Sequence, residues 1–309
     1  MKTMPFLTSL LGKRKILFLN YDHKIKCGSK NGWNGFENTR DLFTKYLDEF
    51  DVYFFNYQDV VVTENQIYFG DISINRFSFV FFGFISKNTD LFNIVRNKIK
   101  TSHIPYLMYG NTRDNDNKIN DLSIFTKYNV PHIPTILATR WNKQIENIKL
   151  PVVIKPYNGS CGNGVVKFET YSEVETHLNN TDGLKLIQTW VKNNGDYRII
   201  TFNNQAIIHS KRIAKEGEWR NNVAQGGSVT KSDLPQYILK KAEEISKAFE
   251  SNIIGFDIIQ DQETGNYLFM EINAGPHYFS FMEENKMDLP KIICDYIKSK
   301  LDYRIFIYR

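Results

Sequence analysis

The stretch GFDIIQDQETGNYLFMEIN, residues Gly255–Asn273, decides the reading of this chain. Two apolar runs, Gly255–Gln260 and Tyr267–Asn273, flank a polar segment containing Thr264, Gly265 and Asn266, and the spacing predicts a β-hairpin turning over 261–266. Side chains alternate faces along a strand, so Glu271 and Asn273 are expected on one face and Leu268, Met270 and Ile272 on the other. A hairpin centred near Thr264 sets Asp257 directly opposite Glu271. Facing carboxylates repel and destabilise a ladder; a divalent cation between them removes that cost. Two carboxylates and an amide oxygen make the all-oxygen donor set that magnesium accepts, with phosphates and water completing its octahedron. A solvated hairpin with incidental acids is the bland alternative, and the apolar neighbours speak against full solvation.

Working back along the chain, PVVIKPYNGSCGNGVVKF (Pro151–Phe168) supplies a second signal. A strand through Val152, Val153 and Ile154 ends on Lys155, three glycines follow (Gly159, Gly162, Gly164), and a second strand begins at Val165. Glycines allow positive φ and close approach of backbone, so such a loop can aim several N–H groups at phosphates. No Gly-Lys-Ser/Thr opens a helix, which excludes a Walker loop, and strand leading to strand excludes a dinucleotide fingerprint. An ordinary glycine-rich hairpin is the structural alternative; the lysine that closes the strand tilts the balance towards phosphate.

Between the two hairpins, His209–Ser228 carries Lys211, Arg212, Lys215 and Arg220, with Arg220 and Asn222 flanking Asn221 in a loop that ends at Gly226 and Gly227. The planar fork of arginine suits phosphate, although each of these groups alone is more often a surface charge. Gly195-Asp196-Tyr197-Arg198 puts an acid and an arginine at a strand start. His209 reads as a strand residue, and His277, four residues past the acidic motif, as loop structure or a substrate contact.

The first third alternates strands (15–20, 51–56, 77–84, 104–110) with helices (34–50, 89–102), which suggests a small parallel sheet. Helices follow at about 118–129, 234–250 and 290–300, and the domain boundary is expected near Thr112. Of 309 residues, 42% are hydrophobic and 24% charged, an ordinary globular composition. The net charge of +5 suits an anionic substrate and does not by itself indicate nucleic acid. Cys27, Cys161 and Cys294 lack metal-ligand spacing and fit a reducing compartment. No apolar run has membrane-spanning length, and the start MKTMPFLTSLLGKRK lacks a signal-peptide cleavage site. The expectation is therefore a cytoplasmic protein without membrane or nucleic-acid partners.

Taken in order, PVVIKPYNGSCGNGVV, LIQTWVKNNGDYRI, RIAKEGEWRNNVAQGG, GFDII and YLFMEINAGP resemble the ATP-grasp superfamily, and most of all the RimK-type glutamate ligases, which add glutamate to the C-terminus of a ribosomal protein. The resemblance covers about Lys118–Pro290. It implies an α/β (α+β) chain: an N-terminal Rossmann-like pre-ATP-grasp domain (1–112) and an ATP-grasp domain (113–309), with a lid at about 135–192 and a catalytic part at about 193–309. It implies ATP and one or two Mg2+, with Mn2+ as a substitute. Lys155, and more loosely Lys118, would be the ATP lysines. Gly159, Ser160, Gly162 and Gly164 would form the loop over the β- and γ-phosphates. Gln188, Thr189, Trp190 and Val191 would be the adenine hinge, Asp196 the ribose contact, and Arg212 a further nucleotide contact. Arg220 and Asn222 would act beside the phosphates and the reacting carboxylate. Asp257, Glu271 and Asn273 would hold magnesium.

Two positions depart from the family pattern. Thr189 stands where an acid is usual, and the loop after Asn273 is Ala-Gly-Pro-His-Tyr-Phe where small residues are usual. The implied reaction phosphorylates a carboxylate and joins it to an amine, the partners being an acid and an amino acid, peptide or protein tail; a homo-oligomer is compatible with this. The alternatives are an ATP-grasp kinase and an inactive ATP-binding regulatory protein.

Overall fold

The computed structural model describes residues 12–19, 35–83, 89–110, 118–157, 163–217, 221 and 227–307. The first third runs β1 (Lys15–Leu19), α1 (Gly35–Tyr46), β2 (Asp51–Phe55), β3 (Val60–Val62), β4 (Ile67–Phe69), β5 (Ile72–Ser73), β6 (Phe77–Phe82), α2 (Thr89–Thr101) and β7 (Tyr106–Met108). Next come α3 (Lys118–Lys127), β8 (Thr135–Ala138), β9 (Val152–Pro156), β10 (Val166–Phe168), α4 (Tyr171–Asn179) and β11 (Lys185–Thr189). The chain continues through β12 (Asp196–Phe202), β13 (Gln205–Ile213), β14 (Ser228–Lys231), α5 (Gln236–Ser246), β15 (Ile253–Gln260), β16 (Tyr267–Asn273), α6 (Phe279–Asn285) and α7 (Leu289–Ile307).

A parallel sheet covered on both faces needs strands that are apolar almost throughout, which is what KILFL and FSFVFF provide. These strands pair in the order β2-β1-β6-β7. Alternation deals Ile16, Phe18, Phe79 and Phe81 to one face, against Phe43 of α1, Leu47 just after it, and Leu289, Ile293 and Ile297 of α7. Leu17, Leu19, Val80 and Phe82 go to the other, against Phe92, Val95 and Ile99 of α2. The crossover from β2 to β6 is not a helix: β3, β4 and β5 form a small antiparallel sheet there. Ile67 and Phe69 alternate about Tyr68 and bury themselves beside α2, a period of two that a helix cannot use.

The second sheet, β10-β9-β11-β8, is antiparallel and has its own core of Val152, Ile154, Val174, Leu178 and Ile187. Thr170 and Glu173 cap α4 reciprocally, which starts the helix that covers this sheet. The third and central sheet runs β14-β13-β12-β15-β16, also antiparallel. Phe125 of α3 and Ile238, Ala242 and Ile245 of α5 cover one face of it, on Ile199, Ile254, Phe256 and Ile258. First and central sheets are joined through Met108, Tyr109, Asn252 and Ile253. Met108 N–H donates to Asn252 Oδ1 at 2.7 Å, Asn252 N–H donates to the Met108 carbonyl at 2.8 Å, and Tyr109 bridges in parallel to Ile253.

The decisive hairpin has the expected turn, and Asp257 pairs with Glu271. Its alternation is not the expected one. The register shifts between Asp257 and Ile258, so Met270 and Glu271 together stand opposite Asp257 as a β-bulge. Leu268 and Met270 therefore pack with Ile133, Val191 and Ile259 on the Glu271 side, while Phe269 and Ile272, three residues apart, enter the core on the opposite face.

Candidate active site

Register across four strands assembles a row of charge on one face of the central sheet. Asp196 and Arg198 lie two apart on β12; Asp196 is the direct partner of Arg212, Arg198 of Asp257, and Asp257 of Glu271. Arg212 grips Asp196 with two donors, Nε to Oδ1 at 2.6 Å and Nη2 to Oδ2 at 2.9 Å, and the same Nη2 lies 3.1 Å from Oδ2 of Asp257. Arg198 reaches Asp257 through Nε at 2.5 Å from Oδ1 and Nη2 at 3.1 Å from Oδ2. All four side chains are buried. Burial alone would raise the Asp257 carboxyl, but the two guanidiniums outweigh it and hold the group below the usual carboxylate range. At Asp196 burial prevails over Arg212 and pushes the carboxyl up to about 6. Arg212 is driven above the ordinary arginine value, its own burial more than offset by the two acids.

Above this row stands a second cluster. Lys118 opens α3 with its Nζ 3.4 Å from Oε1 of Glu271. Lys155 lies in β9, opposite Leu186 of β11, so the lid sheet brings it in from the other side. Enclosure pushes the Lys155 ammonium below the ordinary lysine value; Glu271, Asp121 and Asp257 pull it back up, and Lys118 pushes it further down. Two lysines from different elements thus converge on the acidic edge of β16.

The facing carboxylates were expected to need a metal ion to relieve their repulsion. In the fold each is already answered by cations, Asp257 by Arg198 and Arg212, Glu271 by Lys118. A metal site still fits. Asn273 lies two residues beyond Glu271 on the same face, where its amide oxygen would be the third donor beside the two carboxylates. Among the described residues no group of three or more His, Cys, Asp or Glu side chains could hold a metal. Two carboxylates and one amide instead suit a hard cation that takes its remaining oxygens from phosphate and water.

The expected hinge lies at the end of β11. Gln188 is buried and its Nε2 donates to Thr135 Oγ1 at 2.9 Å, so the side chain serves the lid sheet. Thr189 N–H and Trp190 N–H donate to the Pro134 and Pro151 carbonyls at 3.2 and 2.8 Å. The Lys167 ammonium lies 4.0 Å from the centre of the Trp190 ring. Val191 is buried and joins Ile133, Ile259, Leu268 and Met270 in an apolar seam where lid and central sheet meet, a floor on which a flat aromatic base could lie. Gly164, with φ of +70°, turns the chain into β10. Gly159, Ser160 and Gly162, the expected catalytic pair Arg220 and Asn222, and Cys27 and Cys161 lie outside the described residues. Asn221 is described; its Nδ2 donates to Asn193 Oδ1 at 3.1 Å, tying that loop back to the hinge.

At the far end of the row, the loop after Asn273 is held by the first sheet. Tyr109 O–H donates to the Pro276 carbonyl at 2.8 Å, and its ring meets Tyr278 edge-on at 5.7 Å. A Cβ at Gly255 would sit 2.6 Å from Pro276 Cβ, so glycine is what lets this loop close over the strand. The Arg198 guanidinium lies 5.7 Å from the centre of the Phe281 ring. His277 stands open to solvent between buried Pro276 and Tyr278. The surrounding chain, and then Arg198, push its pKa down.

Sequence reasoning missed Arg198 as the partner of Asp257, Tyr109 as the brace of the loop, and Asp121. The first left a trace, an arginine two residues from an acid at a strand start. The other two depend on contacts between remote segments.

A family model described as a RimK-like ATP-grasp domain matches residues 115–297. A probable alpha-L-glutamate ligase of Pseudoalteromonas translucida is 32% identical over 153 residues, which are 48% of this chain and 50% of that protein. The alpha-aminoadipate–LysW ligase LysX of Saccharolobus solfataricus is 28% identical over 233 residues, 68% of this chain and 84% of that protein. Among solved structures, the ATP-grasp ligase PsnB complexed with a minimal precursor superposes with a TM-score of 0.67 at 15% identity, over 93% of this chain and 99% of that one, a likeness of fold. Against the glutamate ligase, the chain spans about half the relative's length.

Proposed function

Because the chain belongs to the RimK-like ATP-grasp family, we propose that it is an ATP-dependent carboxylate–amine ligase. The observation that carries the reading is the facing pair Asp257 and Glu271, with Lys118 of α3 3.4 Å from Glu271 and Lys155 on the lid strand β9. ATP lies between lid and central sheet, its base on the seam of Ile133, Val191, Ile259, Leu268 and Met270, with Gln188–Val191 as the hinge beside it. Asp196, held by Arg212, faces the ribose. Lys118 and Lys155 take phosphate oxygens, and the loop through Gly159, Ser160, Gly162 and Gly164 covers them.

Asp257, Glu271 and Asn273 would hold one or two magnesium ions, or manganese in their place, which would supply positive charge for the transferred phosphoryl group. A substrate carboxylate attacks the γ-phosphorus, ADP leaves, and an acyl phosphate forms. An amine then attacks the acyl carbon, inorganic phosphate leaves, and the amine proton passes to solvent or phosphate. Positioning and charge do this work, with no protein nucleophile. Arg220 and Asn222 steady the reacting carboxylate. Closure of the lid keeps water from the acyl phosphate.

The relatives' descriptions support a substrate class. Glutamate and aminoadipate ligases point to an amino acid as one partner, and the precursor complexed with PsnB to a peptide or protein tail as the other. No helix among the described residues is long and apolar enough to cross a membrane, and Cys294 is a buried free thiol; both accord with work in the cytoplasm. ADP release measured with each amino acid, with and without peptide acceptors, followed by mass spectrometry of products, tests the reading. Net ATP turnover that yields a phosphorylated product without any amine would establish a kinase instead.

A further inference from the structure

We infer that Asp121 is a positioning residue: its carboxylate holds the bulge that carries Glu271 and Asn273, and so sets the geometry of the metal site on which the proposed ligase reading rests. Asp121 lies in the first turn of α3, is 2% exposed, and accepts the Ile272 N–H at 3.0 Å through Oδ2. The need for that acceptor comes from the bulge. β16 is the last strand of its sheet. Its outer edge is paired at Phe269, whose N–H donates to the Pro131 carbonyl at 2.8 Å and whose carbonyl accepts from Ile133 N–H at 3.2 Å. In a regular strand the next amides pointing to that edge would belong to residues two and four further on. The extra residue at Met270 shifts the phase, and Ile272, three further on, turns its N–H outwards, where no strand among the described residues adjoins β16.

A buried amide must find an acceptor, and Asp121 supplies an ionised one, which makes the stronger bond. The bond fixes the peptide between Glu271 and Asn273. Lys118, three residues earlier on the same helical face, meets Glu271 itself. One turn of α3 thereby grips the bulge by its backbone and by its side chain. An unsupported bulge can relax to regular pairing, and a slip by one residue would send Glu271 to the opposite face.

The test is titration of Mn2+ into protein saturated with a non-hydrolysable ATP analogue, with hydrogen exchange at the Ile272 amide read in parallel. In Asp121→Ala, Mn2+ affinity falls by about tenfold or more and the Ile272 amide exchanges roughly a hundredfold faster. Asp121→Asn keeps an acceptor and stays within about threefold of wild type in both. If the alanine variant does not fold, Asp121→Ser, too short to reach Ile272, takes its place. Mn2+ affinity in Asp121→Ala or Asp121→Ser within about twofold of wild type overturns the inference, and so does an asparagine variant as weak as alanine. Glu271→Ala is the control. If it alone loses Mn2+, the positioning role fails and the site assignment stands; if neither variant loses Mn2+, both fail.

Discussion

Asp257 and Glu271 are direct partners across the β15–β16 ladder, and each is neutralised by a different set of cations, buried arginines on one side and Lys118 on the other. The pair therefore does not depend on a metal ion for the stability of the fold. Metal binding and folding can be separated experimentally, which makes the site open to mutation without collapse of the sheet.

Glu271→Ala is expected to abolish ATP-dependent phosphate release, a fall of roughly two orders of magnitude or more, while its far-ultraviolet circular dichroism stays that of wild type. Retained turnover in a coupled ADP assay would remove Glu271 from the metal site.

Arg212→Met tests the buried row. Arg212 compensates both Asp196 and Asp257, and its side chain is 5% exposed. Taking one partner from a buried ion pair costs about 3–5 kcal/mol, to be read as a shift in the denaturant midpoint. Glu250→Ala, which breaks the exposed contacts to Arg96 and Lys100, should cost no more than about 1 kcal/mol.

Lys155 predicts a pH dependence. Burial lowers its pKa below the ordinary lysine value of 10.5, so folding favours the neutral amine. The charged form costs stability at neutral pH, and that cost is relieved as pH rises through the lowered pKa. Function runs the other way, because phosphate needs the ammonium. The value of kcat/KM for ATP, which reports ionisation of free enzyme, should fall on the alkaline side at a pH below 10.5, and Lys155→Arg should move that limb upwards. An alkaline limb unchanged in the arginine variant would assign it to another group.

Gly255→Ala should separate the two ends of the site. The new methyl meets Pro276 and the Arg198 guanidinium, and overpacking of this kind costs about 1–3 kcal/mol. The displaced part is the loop carrying His277, so KM for the amine or carboxylate partner should rise by roughly tenfold with KM for ATP little changed. Equal changes in both would mean that the loop serves the nucleotide.

How much of this was legible in the sequence depended on distance along the chain. The pairing of Asp257 with Glu271 could be read because one short turn sets it. The bulge could not, since one extra residue in an apolar strand leaves no local signature, and it reversed the faces expected for Leu268 and Met270. The row from Arg212 to Asp257 was hidden for a different reason: strands far apart in sequence must pair before those side chains meet. The apolar runs of the parallel sheet announced themselves, whereas its β3–β5 crossover was passed over although Ile67, Tyr68 and Phe69 alternate. Asp121 looked like one more acid on a helix, because the amide that it serves lies in a strand formed much later in the chain.

The packing of α7 against Phe18 and Phe81 has a consequence for synthesis. Part of the covering for the first sheet is encoded far beyond it, after both of the other sheets. A nascent chain that has completed β7 holds an aromatic face covered only in part by α1, the kind of exposed surface that recruits chaperones and seeds aggregation. Maturation of the earliest-made part therefore waits on one of the latest, and truncations before Leu289 should be recovered as insoluble protein, whatever their binding site looks like on paper.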